Sequence, residues 1–157
     1  MKHWVSALTL AVAASLAAGL PAAAAPDYGD SKSETLTTKA WKAYGSENFD
    51  DALAYVAKCV ELYEAEAKTM QASLKDYPPA EPHDATFKYW ALNDVGTCLF
   101  IKGEILLKKG DKPGAKAAFT KLVDELKYAQ CWDDKGWFWK PADAAKKRLV
   151  ELEFDAK

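Results

Sequence analysis

The sequence predicts an all-α fold, and three observations carry that prediction. Two stretches, NFDDALAYVAKCVELY (Asn48–Tyr63) and GDKPGAKAAFTKLVDEL (Gly110–Leu126), follow one local grammar. Each runs from a turn into a helix start, then an alanine, then apolar residues at three- and four-residue intervals, the spacing that gathers side chains on one helix face. Nowhere between turn signals do apolar and polar residues alternate with period two, the mark of a strand.

The first residues are expected to lie outside this fold. Lys2 precedes an apolar, alanine-rich run from Val5 to Leu20 and a small-residue stretch from Pro21 to Ala25, the pattern of a secretory signal peptide. Ala22 and Ala24 satisfy the small-x-small rule, and the cut is expected after Ala24, since one residue later it would leave Pro26 first. Residues 1–24 are then a leader, 25–34 a flexible segment, and 35–157 one helical domain of ordinary size. The apolar run is short of the roughly 20 residues of a membrane span. With no cysteine near the cut, lipid attachment is not expected there. The mature chain is expected in the periplasm or outside the cell, without membrane insertion.

The elements follow in order. Ser31 and Glu34 have capping-box spacing and open a first helix reaching about Tyr44, ended by Gly45 and Ser46. Asn48 caps a second helix, with Asp50 and Asp51 placed favourably against its dipole. Its apolar stripe (Phe49, Ala52, Leu53, Val56, Val60, Tyr63, Ala67, Met70) extends towards Leu74. The prolines between Tyr77 and Asp84 stop it. A third helix starts near Ala85, carries Trp90, Val95, Leu99 and Ile101, and ends about Lys109. Gly110 and Asp111 make a turn, and Pro113 sits in the first turn of a fourth helix that runs to about Lys127. Cys131–Trp139 reads as a tryptophan-rich loop. Pro141 opens a fifth helix with Ala145, Leu149, Val150 and Leu152 as its apolar set.

These residues resemble the tetratricopeptide repeat (TPR). In that family small residues sit where the two helices of a hairpin cross, and stacked hairpins form a superhelix with a concave groove. Ala40 and Gly103 match the small residue of the first helix in each pair, and Ala52 and Ala115 that of the second. Glycine inside a helix costs up to about 1 kcal/mol, so Gly103 calls for a packing reason, which close crossing supplies. Phe49, Val56 and Cys59 fit apolar sites of a first repeat, and Phe119 and Leu122 those of a second. Ala52 and Ala115 are 63 residues apart, against a family period of about 34. Lengthened second and third helices plus the proline loop account for the excess, or else a degenerate middle repeat. The resemblance implies a solenoid of about two repeats with a C-terminal capping helix. Tyr89–Glu104 together with Ala129–Leu149 is similar to a group of small exported bacterial repeat proteins, some of which carry a β-glucanase label.

The sharpest local feature is aromatic. Folding the third and fourth helices back about Gly110 and Asp111 brings Trp132 level with Tyr89, and Cys131 level with Trp90, with Trp137, Phe138 and Trp139 close by. Two readings stand: a hydrophobic plug at the end of the stack, or a platform at the groove edge for a peptide or a sugar. In the second, Tyr89, Trp90, Trp132, Trp137 and Trp139 supply the stacking surface, and Asn93 and Asp94 the polar contacts. Trp41 reads as a separate packing residue.

Cys59, Cys98 and Cys131 are an odd set for an exported chain, so at least one thiol is left over, which would allow a redox role. Pairing the second and third helices about the proline loop brings Cys59 within a turn of Cys98. Cys131 falls about 12 Å from Cys98 at helical rise, beyond disulfide reach. Cys59–Cys98 is therefore the candidate disulfide, with buried apolar filler as the alternative.

Other function classes find little support. Without Lys2, the 21 basic residues become 20 against 23 acidic, a net charge of −3. That mixed, mildly acidic balance builds no field for nucleic acid. His83, the one histidine beyond the leader, lacks an evident base or metal partner. Asp94 with Asp133 or Asp134 is the carboxylate pair available for glycoside hydrolysis. No metal site or cofactor is expected. The function expected is non-catalytic binding of a protein or peptide partner, with a glycan-binding or glycan-degrading envelope protein as the alternative. Exposed stack ends leave homo-oligomer formation open.

Overall fold

The computed structural model describes residues 26–154. The expected leader, residues 1–24 with its cut after Ala24, lies outside the described residues, as do Ala25 and residues 155–157. The elements are α1 (Ser33–Gly45), α2 (Phe49–Ala72), α3 (Asp84–Phe87), α4 (Trp90–Lys108), α5 (Lys112–Glu125), β1 (Cys131–Asp133), β2 (Trp137–Trp139) and α6 (Pro141–Phe154). The protein is mostly helical, and no described helix is long and apolar enough to cross a membrane.

Local chemistry explains the starts of α2 and α5. The Asn48 side chain accepts from the Asp51 amide at 3.4 Å, and Asp111 accepts from that of Gly114 at 2.9 Å. Each satisfies a donor that the first helical turn leaves open. The start of α1 differs from expectation. Ser31 adopts φ 58° and lies outside the helix, and the N-cap is Lys32, whose side chain makes no capping bond. The expected flexible segment is tied down over its described part. The Tyr63 hydroxyl donates to Ser31 O at 2.9 Å, Lys39 Nζ to Asp27 O at 2.9 Å, and Tyr28 packs edge-on against Tyr55.

The third expected helix is two helices, α3 and α4, broken at Lys88–Tyr89. The Asn93 side-chain Nδ2 donates to Thr86 O at 3.0 Å, alongside the Tyr89 amide at 3.1 Å. That carbonyl is thus withdrawn from the regular i→i+4 ladder. The expected loop at Cys131–Trp139 is an antiparallel hairpin that pairs Cys131 with Trp139, Trp132 with Phe138 and Asp133 with Trp137. Gly136 at φ 92° closes its three-residue turn, and Asp133 Oδ1 accepts from the Lys135 amide at 2.9 Å. Three-residue strands are too short to show a period, but aromatic residues flanking a turn with glycine in the left-handed region are the ingredients of such a hairpin.

α4 is the hub, packing against α1, α2, α5 and α6. Ala40, Ala52, Gly103 and Ala115 are all buried, as the resemblance requires. A β-carbon at Gly103 would overlap the Phe119 ring of α5. Gly96, one of the buried residues of α4, plays the same part for Ala129, where the chain leaving α5 crosses α4. On α6, Ala145 and Leu152 are buried, but Val150 is 52% exposed and is not a core residue. A bidentate pair from Arg148 to Glu104 (Nε–Oε1 2.7 Å, Nη2–Oε2 3.1 Å) fastens α6 to α4.

Candidate functional site

A groove of about 1120 Å³ opens between α1, α4 and the hairpin. One stripe of each helix forms its walls. α1 contributes Glu34, Thr37, Thr38 and Trp41, and α4 contributes Trp90, Asn93, Asp94, Thr97 and Phe100. Both sets recur at three- and four-residue spacing, so each is a single helix face. The hairpin adds Trp132, Asp133, Asp134, Trp137 and Trp139. Strand alternation puts Trp137 and Trp139 on one face and Phe138, paired with Trp132, on the other.

The aromatic residues therefore divide. Trp132, Phe138, Phe87 and His83 interlock as a plug, with ring centroids 4.5 Å apart for His83–Trp132 and 4.9 Å for Trp132–Phe138. Trp139 stands between Phe100 at 5.2 Å and Trp41 at 6.2 Å, mostly edge to face. Trp41 is thus not a separate packing residue but part of the groove wall. Trp90 leans edge-on against Tyr63 at 5.5 Å, and its remaining surface is open. Trp90 and Trp137 are 43% and 53% exposed, high values for rings of this size.

Two expected site residues do other work. Tyr89 is not part of the groove lining; it precedes α4, with Lys88 Nζ 5.2 Å from its ring centre. Asn93 reaches the groove, but both ends of its amide are engaged: Nδ2 with Thr86 O, and Oδ1 with the Gln130 amide at 2.9 Å. Buried Gln130 continues the network by donating from Nε2 to Pro78 O at 3.0 Å. This knot pins the proline loop and the root of the hairpin to α4.

Asp94 faces the groove and accepts a hydrogen bond from Ser33 Oγ at 2.5 Å. Burial pushes its carboxyl up to about 6; the Ser33 bond opposes that rise and the Glu34 charge adds to it. Behind it, Cys59 and Cys98 are buried free thiols, not a disulfide. The Thr37 hydroxyl lies 3.4 Å from Cys98 Sγ and 3.9 Å from Cys59 Sγ. Hydrogen bonding to Cys59 and burial push the Cys98 thiol well above its usual range, so it is not an activated nucleophile. Cys131 is not level with Trp90. It lies by Thr97, two turns further along α4, with its thiol raised by burial. Level counting at helical rise stops applying once the chain leaves α5 at Glu125. Among the described residues, no group of three or more His, Cys, Asp or Glu side chains is placed to hold a metal ion.

Fold and site together define a mostly α-helical protein with an aromatic groove lined by carboxylates. Comparisons with family models, with curated proteins and with solved structures found no match.

Proposed function

We propose that this chain is an exported, non-catalytic scaffold of tetratricopeptide type that binds a protein or an extended peptide in the groove. The helix pairings support the repeat reading. α1 with α2 and α4 with α5 make two hairpins, α6 follows as a cap, and the leading helices α1, α4 and α6 touch in succession. Small residues occupy the crossings, as that architecture needs. The observation that carries the binding reading is the pair of open rings, Trp90 and Trp137, at a groove large enough for several side chains. Rigid aromatic anchors beside polar groups are the usual makeup of an interaction hot spot. Crosslinking in intact cells, followed by mass spectrometry, tests it. Partners captured by the unaltered chain are expected to be lost from the Trp90→Ala, Trp137→Ala double variant while its circular dichroism stays helical. Capture unchanged in that variant would remove the groove from the site.

A glycan ligand is the second reading, and one observation favours it. A carboxyl held protonated to about pH 6 beside tryptophan rings is the equipment of a glycosidase general acid. Incubation with β-glucan oligosaccharides, followed by tryptophan fluorescence and reducing-end release, decides between the two. Neither binding nor cleavage would leave the peptide reading in place.

A further inference from the structure

We propose that the groove selects a cationic segment: an extended peptide whose lysine or arginine side chains enter among the tryptophan rings and the carboxylates of Glu34 and Asp94. This inference rests on the reading of the groove as the binding site and names the chemistry of its occupant.

Charge complementarity is the first argument. Glu34, Asp94, Asp133 and Asp134 line the groove, and no lysine, arginine or histidine does. The chain has 21 basic residues against 23 acidic, so a groove of this size with one sign of charge is a departure from its composition. Elsewhere many of the lysines pair with neighbouring carboxylates, as Lys58 does with Glu61 and Lys109 with Asp50. Among the described residues none pairs with the four groove acids. Asp94 receives the Ser33 hydroxyl and Asp133 the Lys135 amide, both neutral donors. Carboxylates in a partly desolvated cleft focus their field on whatever enters it.

The second argument is the material of the walls. Trp90 and Trp137 present open ring surface, and Trp139 lies between Trp41 and Phe100. The face of an indole attracts a guanidinium or ammonium group, and that attraction grows as water is excluded. Aromatic faces and carboxylates in one groove both favour a cation and both disfavour an acidic peptide, which would meet like charge.

Asp94 makes the preference pH-dependent. The groups facing it are Glu34 from α1, Cys98 on its own helix and Cys131 from the hairpin, with Asp133 further along the strand. None of these is a cation at neutral pH. A bound cation therefore stabilises the ionised form of Asp94, and binding near pH 6 releases a proton. Affinity rises as pH increases through about 6.

Panning a random dodecapeptide display library on the immobilised, leader-free chain tests the proposal, with the Trp90→Ala, Trp137→Ala double variant as counter-selection. Peptides that need the tryptophans are expected to be enriched at least twofold in Lys and Arg and depleted in Asp and Glu. The best of them should lose about tenfold in affinity against Asp94→Asn or Glu34→Gln, the latter a change at an exposed position. It should also bind several-fold more weakly at pH 5 than at pH 7.5, a difference that Asp94→Asn abolishes. Tryptophan-dependent peptides with no charge bias would overturn the cationic inference and leave the groove reading intact. Failure to recover any tryptophan-dependent peptide would overturn both.

Discussion

Two clusters of charge in this molecule behave in opposite ways. Where α2 and α5 meet, Glu64, Lys68, Lys121 and Glu125 alternate in sign. Lys121 approaches Glu64 to 2.6 Å, and Lys68 lies 2.9 Å from both glutamates. The lysines hold Glu64 and Glu125 below the usual carboxylate range, and the glutamates hold both lysines above theirs. In the groove, burial and an acidic neighbour push Asp94 the other way. The charges of the first cluster are satisfied within the chain. Those of the second lack such a partner, and the fold carries an ionised Asp94 at neutral pH at a cost in stability. Such a cost is commonly retained where a group serves binding or catalysis.

The comparison is broken most severely in the core, where α4 and α5 cross. Phe119 of α5 lies under Gly103 of α4 and holds the two helices in register. Phe119→Ala is expected to cost about 3–5 kcal/mol, read from urea denaturation, and to disturb the groove and the α2–α5 contact together. Loss of stability with both clusters intact would show that they do not depend on this crossing.

A change at Asp94 sharpens the comparison. Its folded-state value lies above its unfolded one, so the native state binds the extra proton and stability falls as pH rises from about 4 to about 6. Asp94→Asn keeps an oxygen for Ser33 and removes the charge. It is expected to raise stability at pH 7 by about 1–3 kcal/mol and to flatten that slope in a pH series of denaturation curves. A variant destabilised at pH 7 would mean that the carboxylate is well accommodated.

Gly103→Ala gains helix propensity but drives a methyl group into the Phe119 ring. The net loss is expected at about 1–2 kcal/mol by overpacking, whereas Gly45→Ala, with open space at that position, is expected to cost nothing comparable. Equal effects at the two glycines would remove close crossing as the reason for Gly103. The smallest effect belongs to the α2–α5 cluster. Glu64→Gln is expected to cost under about 1 kcal/mol, and less in 0.5 M salt, because these side chains are partly solvated. Its sign with pH is the reverse of Asp94's. Glu64 is lowered, so its contribution is present above the ordinary carboxylate range and fades as pH falls through the folded value.

Much of the helical frame was readable from local patterns. Asn48 and Asp111 cap the helices that follow them, Pro113 lies in a first turn, and the four small crossing residues are buried. The misreadings share a cause. Spacing alone makes Ser31 a cap, but its backbone takes a left-handed conformation outside the helix, and its carbonyl accepts from Tyr63. The break before Trp90 depends on Asn93 reaching back to Thr86, which no propensity registers. Sequence position sets Trp41 apart from the other tryptophans, yet Glu34, Thr38 and Trp41 share one helix face, the signal of a groove wall.

What the sequence determined by itself are features governed by neighbours a few residues away: helix periods, caps, turns and the small residues that permit close approach. Only the tertiary structure decided that Glu34, Asp94 and Trp139 line one groove, that Trp132 packs against His83 at its edge, and that burial pushes the carboxyl of Asp94 up to about 6. The physical reason is range. A helix is set by hydrogen bonds over four residues, whereas the polarity and charge around a side chain depend on every segment that folds against it.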